Sequence, residues 1–130
     1  MGHRYASVCI LKIEWKSEDT KAAATEIEKI SPQGLDVIVA NAGVSILDAW
    51  VPVLESPTAL FPEQSEMNII CPILLFKAMY PLALCRATRK LVFIFSMAGG
   101  ISDMIPLPIT CYGASKIGMN FISRGIHIDN

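Results

Sequence analysis

Charge is scarce in this chain, and the common phosphate-holding and metal-holding signatures are missing. Only 18% of the residues are charged, and 11 bases against 12 acids leave a net charge of −1. That balance argues against nucleic acid or an anionic membrane as a partner. His3 and His127 lie far apart, and Cys9, Cys71, Cys85 and Cys111 show no Cys-x-x-Cys spacing. No metal site or disulfide framework is therefore expected. The thiols read as free, mostly buried and held in a reducing, cytoplasmic setting. His3 and His127 sit too near the chain ends for a credible Ser-His-Asp set. No Walker-type loop, Gly-x-Gly-x-x-Gly or Gly-x-x-x-Gly-x-Gly occurs. Residues 1–7 are short and polar, so no secretory signal is expected there.

What the chain has in excess is apolar side chains, at 52% of its 130 residues. A chain of this length forms one domain at most and buries roughly two thirds of its unfolded surface. The most apolar stretch, residues 69–85, is interrupted by Pro72, Lys77 and Pro81. It is short for a membrane span and is expected to be a buried helix.

Residues 8–13, Val-Cys-Ile-Leu-Lys-Ile, are expected to form a strand. Ser17 is expected to cap a helix that runs to about residue 30, with Glu18 and Asp19 in its first turn. Ser31-Pro32-Gln33-Gly34 stops it. Residues 35–40 are apolar at nearly every position, as a strand covered on both faces must be. A loop follows over residues 44–56. A long helix is expected from about Pro62 to Cys85, with bends at Pro72 and Pro81. Residues 91–95 predict a third buried strand, residues 97–110 a Gly- and Pro-rich loop, and residues 111–126 a last helix. The order β-α-β-α-β-α predicts an α/β fold with a parallel sheet and flanking helices. Ligands of such sheets bind beyond the carboxyl ends of the strands.

Several polar residues converge on that rim. Tyr112-Gly-Ala-Ser-Lys116 stacks a phenol and an ammonium on one helix face. An ammonium beside a phenol favours the phenolate, which suits proton exchange with a carbonyl or alcohol. Asn41-Ala42-Gly43 ends a strand, where small residues let a ligand approach the backbone; taken alone, the tripeptide reads first as an ordinary strand-to-loop turn. Ser96 ends another strand and could hydrogen-bond a carbonyl oxygen, or simply be a loop residue, with Ser102 as a competitor deeper in the loop. Asn68 is an amide in an apolar helix, where it either braces the helix or serves a site.

Together, Asn41-Ala42-Gly43, Asn68, Ser96 and Tyr112-x-x-x-Lys116 resemble the short-chain dehydrogenase/reductase family, from about Val8 to the last residue. Pro106-Leu107-Pro108, the Tyr112–Lys116 motif and Ile126-His127-Ile128-Asp129-Asn130 are similar to a fungal, norsolorinic acid ketoreductase-like subgroup. The resemblance implies one incomplete Rossmann-like domain over residues 1–130. It would lack the first β-α-β segment with its glycine-rich pyrophosphate loop, and the C-terminal strands. It implies an NAD(P)-dependent oxidoreductase interconverting a carbonyl and an alcohol on a small molecule, with NADPH favoured by analogy. Tyr112 would be the general acid or base, and Lys116 would favour its phenolate and hold the nicotinamide ribose. Ser96 would position the carbonyl, and Asn68 would hold a water in the proton relay. Asn41, Ala42 and Gly43 would line the adenosine side of the cofactor. Glu14 stands where the family usually has an adenine-contacting Asp. Helices carrying Asn68 and Tyr112 commonly pack against a second subunit in the family, which implies a homo-oligomer. The missing glycine-rich loop supports an alternative, a non-catalytic truncated fragment or an interaction module derived from such a reductase.

Overall fold

The computed structural model describes residues 8–14 and 16–130. The expectation of no secretory signal in residues 1–7 lies outside them. Helix α1 spans Ser17–Ile30, with Glu18 and Asp19 in the first turn and Lys29 in the last. Those charges complement the partial charges at the helix ends. Ser17 is not the cap: that position is Lys16, in extended conformation and without a capping side chain. Thr20 turns its hydroxyl back instead, onto the Ser17 carbonyl at 3.0 Å and the Lys16 carbonyl at 3.2 Å.

Gly34 ends the turn after α1 at φ +89°. A Cβ there would overlap the Leu82 carbonyl oxygen and come within 2.7 Å of Cys85 Cβ. The next residue, Leu35, donates its N–H to that same Leu82 carbonyl at 3.1 Å. Glycine thus lets the chain cross closely over a later helix before it enters the sheet.

Strand β1 spans Val37–Ala40, and β2 spans Lys90–Phe93. They pair in parallel with Val37 opposite Lys90 and Ala40 opposite Phe93. Both are shorter than the apolar runs that announce them, because the ladder extends only as far as both strands continue. Residues 8–13 do not form a strand. A strand exists only by pairing, and β1 and β2 are the only paired strands among the described residues. The segment still alternates: Leu11 and Ile13 pack onto the core, while Val8 and Ile10 are exposed.

The β1 strand is not covered on both faces. Ile38 is 6% exposed, whereas Val37 and Val39 are 50% and 51% exposed. Ile38 joins Ala23 of α1 and Met79, Leu82 and Ala83 of α3 in one core cluster. Helices α1 and α3 therefore pack on the Ile38 side of the sheet.

The long helical run comes in three parts. Helix α2 spans Leu60–Ser65, a π-turn spans Glu66–Ile70, and α3 spans Cys71–Leu84. Pro62 falls in the first turn of α2, where its missing N–H is harmless. Pro72 has no N–H to offer the Asn68 carbonyl four residues back, and the helix widens immediately before it. Pro81 stays inside α3 without ending it. By length and composition, Leu60–Leu84 could cross a membrane. Here it buries Cys71, Met79, Leu82 and Ala83 against the rest of the fold. Helix α4 spans Thr110–Asp129, longer at both ends than the periodicity suggests. Of the four free thiols, Cys71 and Cys111 are buried, while Cys9 and Cys85 are exposed, so burial holds for two only.

Candidate active site

The π-turn aims Asn68 inward. Its residue is 1% exposed, and its amide is heavily engaged. Oδ1 accepts the Val44 N–H at 2.8 Å, and Nδ2 donates to the Val44 carbonyl at 2.8 Å. The second Nδ2 hydrogen goes to Ser115 Oγ at 2.9 Å, and Ser115 Oγ donates in turn to the Tyr112 carbonyl at 2.7 Å. One side chain therefore ties the loop after β1 to the first turns of α4. A π-turn is a common device at functional sites because it re-aims a side chain that regular winding would place elsewhere. Both amide hydrogens are consumed by protein, which leaves only acceptor capacity for a water.

Lys116 is buried on the same helix, one turn beyond Tyr112. Its ammonium donates to the Ile94 carbonyl at 3.3 Å and lies 5.6 Å from the centroid of the Tyr112 ring. A Cβ on Gly43 would sit 3.0 Å from Asn68 Oδ1 and 3.5 Å from Lys116 Nζ. Gly43, Asn68, Lys116 and Tyr112 thus form one cluster. Tyr112 is half-buried, and its hydroxyl has no hydrogen-bond partner among the described residues.

Ser96 stands at the end of β2 and caps the short turn Met97–Gly99, accepting the Ala98 N–H at 3.2 Å. Its own hydroxyl hydrogen stays available to an acceptor. Ser102 is exposed, farther along the loop. Asn41 is exposed and Ala42 half-buried at the carboxyl end of β1. Glu14 stays apart from the cluster: its carboxylate meets Lys12 at 3.5 Å and Lys16 at 3.8 Å, all three exposed.

Ser115, Asn120 and Gln64 were not singled out from the sequence. Ser115 lies inside the quoted motif, three residues after Tyr112, at the spacing for a hydroxyl that bonds back to its own helix. Asn120 donates to the Gly99 carbonyl at 2.9 Å and fixes the turn that follows Ser96. A Cβ on Gly99 would meet Asn120 Nδ2 at 2.8 Å and Lys116 Cβ at 3.1 Å, so glycine admits α4 against that turn. Gln64 is fully buried on α2, one helical turn before Asn68, and contacts Cys111. No local sequence signal separates these polar residues from ordinary surface ones.

Residues 4–129 match the short chain dehydrogenase family. The chain belongs to that family. An uncharacterised oxidoreductase of Saccharomyces cerevisiae is 38% identical over 116 residues, covering 88% of this chain and 44% of the yeast protein. The norsolorinic acid ketoreductase of Dothistroma septosporum is 27% identical over 132 residues, covering 96% of this chain and 48% of that protein. The chain spans about half the length of the curated relatives it matches. Among solved structures, Sniffer of Caenorhabditis elegans has the same fold, with a TM-score of 0.83 at 22% identity over 98% of this chain and 60% of its own. An Escherichia coli protein solved with NADPH superposes with a TM-score of 0.71 at 25% identity, over 82% of this chain and 42% of its own. The short-chain dehydrogenase fold is thus a partial Rossmann-like sheet here, and the cofactor of this family is NAD(P).

The residues present fit one end of that cofactor. The Lys116 ammonium, with N–H groups left over beyond its bond to the Ile94 carbonyl, suits a ribose hydroxyl. Residues 1–130 contain no glycine-rich loop of the kind that holds a pyrophosphate.

Proposed function

We propose that this short-chain dehydrogenase chain carries the proton-transfer side of an NAD(P)-dependent carbonyl–alcohol oxidoreductase. The observation that carries this reading is the cluster in which Asn68, bonded to the Val44 backbone and to Ser115, braces the first turns of α4, where Ser115 bonds the Tyr112 main-chain carbonyl and the Lys116 ammonium lies 5.6 Å from the Tyr112 ring centroid. When bound, a reduced nicotinamide supplies the hydride. Tyr112 Oη gives its proton to the carbonyl oxygen, which becomes an alcohol; the reverse direction uses the phenolate as base. Ser96 donates its free hydroxyl hydrogen to the same oxygen as negative charge grows there. The ammonium of Lys116, 5.6 Å from the centroid of the tyrosine ring, holds the ribose hydroxyls. Asn68 keeps the two helices in register and offers its remaining acceptor site to a relay water. Asn41, Ala42 and Gly43 line the adenosine side of the cofactor, and Glu14 would reach it only by leaving its lysine partners. NADPH is favoured over NADH by analogy with the NADPH-bound relative.

A second reading is that the chain acts as a non-catalytic interaction module. The exposed Val37 and Val39 face of the sheet and the 82%-exposed Phe121 of α4 favour it. Self-association through the Asn68 and Tyr112 helices, or pairing with a longer relative, would cover the helical part of that surface.

The two readings separate in a turnover assay with NADPH and a small ketone. Tyr112→Phe should lower the rate at least ~100-fold, the scale of a lost general acid. A Tyr112→Phe chain that keeps the parent's rate would overturn the catalytic assignment. A folded parent chain with no turnover supports the interaction module.

A further inference from the structure

Helices α3 and α4 enclose a cleft of about 380 Å³ over β2. Its floor is the face of β2 that carries Leu91 and Phe93, continued by Phe95, since alternate residues of an extended chain share a face. One wall is Phe76 and Tyr80 of α3, a helical turn apart with ring centroids at 4.9 Å. Tyr80 donates its hydroxyl to Asn130 Oδ1, and Asn130 Nδ2 donates to the Ile126 carbonyl at 3.0 Å. The two walls are therefore tied together, and the cleft is preformed. None of Asn68, Ser96, Tyr112 and Lys116 lines it.

The charge around this aromatic cleft has one sign. Arg89 and Lys90, at the entry to β2, border it, and His127 from the last turn of α4 adds a ring N–H. No Asp or Glu lines it. Among the described residues neither Arg89 nor Lys90 makes an ion pair, whereas Arg86, three residues earlier, is spent on Asp36.

We infer that this cleft binds an aromatic carboxylate, with its rings against Phe76, Tyr80 and Phe93 and its carboxylate at Arg89 and Lys90. Rings laid on that floor gain by leaving water and by stacking. A carboxylate matches the paired N–H groups of a guanidinium, which a neutral ring leaves unused. Lys90 and Phe93 are three residues apart, about 10 Å at the rise of a strand, which is the length of a two-ring aromatic acid. The cleft's volume also falls in the range of small-molecule sites. The inference is independent of the catalytic reading, because the cleft holds none of the residues proposed for proton transfer.

Equilibrium dialysis of the 130-residue chain against 2-naphthoate and its neutral amide, 2-naphthamide, tests this. Naphthoate should bind at least ~10-fold more tightly, the scale of one charge-assisted contact. Arg89→Gln with Lys90→Gln should bring the two ligands to equal affinity and leave that of the amide unchanged; both positions are exposed, so the fold is retained. On the parent chain, naphthoate should shift the backbone amide resonances of residues 89–95 and 123–130 and leave those of α1 in place. Equal affinities for the two ligands overturn the inference. So does a preference that survives the double substitution, or a set of shifts centred elsewhere. A chain that binds no naphthoate overturns it as well; if that chain sediments as a dimer, the cleft belongs to a second copy instead.

Discussion

Asn68 is the residue on which the cluster turns. Its amide reaches Val44 twice and Ser115 once from a fully buried position. Asn68→Ala removes the partners of the part-buried Val44 N–H and carbonyl. Each stranded group costs roughly 1–3 kcal/mol. Urea unfolding of the variant should therefore show a loss of about 2–4 kcal/mol; a loss under half of that would mean the amide is not a brace. The cysteines divide just as sharply. Burial raises the Cys71 and Cys111 thiols above the ordinary range, with Glu66 adding to the effect at Cys71 and Gln64 opposing it at Cys111. Cys9 and Cys85 are exposed. Iodoacetamide on the folded chain should label those two quickly, and Cys71 and Cys111 only on unfolding, as peptide mass mapping would record. Asn68 and the Tyr112–Lys116 pair were legible in the sequence. An amide in an apolar helix and an i,i+4 pairing are local facts that tertiary structure inherits. Ser115 and Gln64 were not, because their importance depends on which helix face meets which.

At the scale of elements, the helices were legible and the strand edges were not. Helical periodicity resides within one segment, so α1, the run through α2 and α3, and α4 all stand where the apolar stripes put them. A strand needs a neighbour, and residues 8–13 have none among the described residues, so an apolar alternating run stays unpaired. The π-turn was foreshadowed only as a bend at Pro72. The entrance to β1 is held by a clamp from the sequence that follows α3. Arg86 Nε and Nη2 grip the two oxygens of Asp36 at 2.9 and 3.0 Å, and Thr88 donates to Oδ1. The Arg86 hydrogen bonds, then that of Thr88, hold the Asp36 carboxyl below the usual carboxylate range. A depressed folded value means the clamp stabilises fully above the unfolded carboxylate value, near pH 4, and fades as pH falls through the lower folded value. The pair is exposed, so the effect is small. Asp36→Asn should lower the urea midpoint at about pH 6 and lower it by less at about pH 2, as the parent clamp fades. An equal loss at both pH values would show that the side chain matters by shape and not by charge.

For the whole molecule, the composition and the three-dimensional arrangement diverge in one respect. Apolar runs at residues 35–40 and 91–95 read as strands buried on both sides, yet helices cover one side only and leave Val37, Val39 and Val92 open. The sequence was patterned for a sheet with two covered faces, and this chain spans about half the length of its curated relatives. The side chains proposed for proton transfer are local to the cluster around α4. A dinucleotide, by contrast, needs a long shared surface, and the pyrophosphate portion of that surface has no glycine-rich loop in this sequence. Whether the Gly43–Lys116 corner suffices to hold the cofactor decides between an enzyme and an interaction module. The most direct measurement is a fluorescence titration of the purified chain with NADPH and NADH, run beside Lys116→Ala. The account predicts saturable binding that weakens at least ~10-fold when the ribose-holding ammonium is removed, the scale of one lost charge-assisted contact. A soluble, folded chain that binds neither dinucleotide, or binds equally well without Lys116, would contradict it.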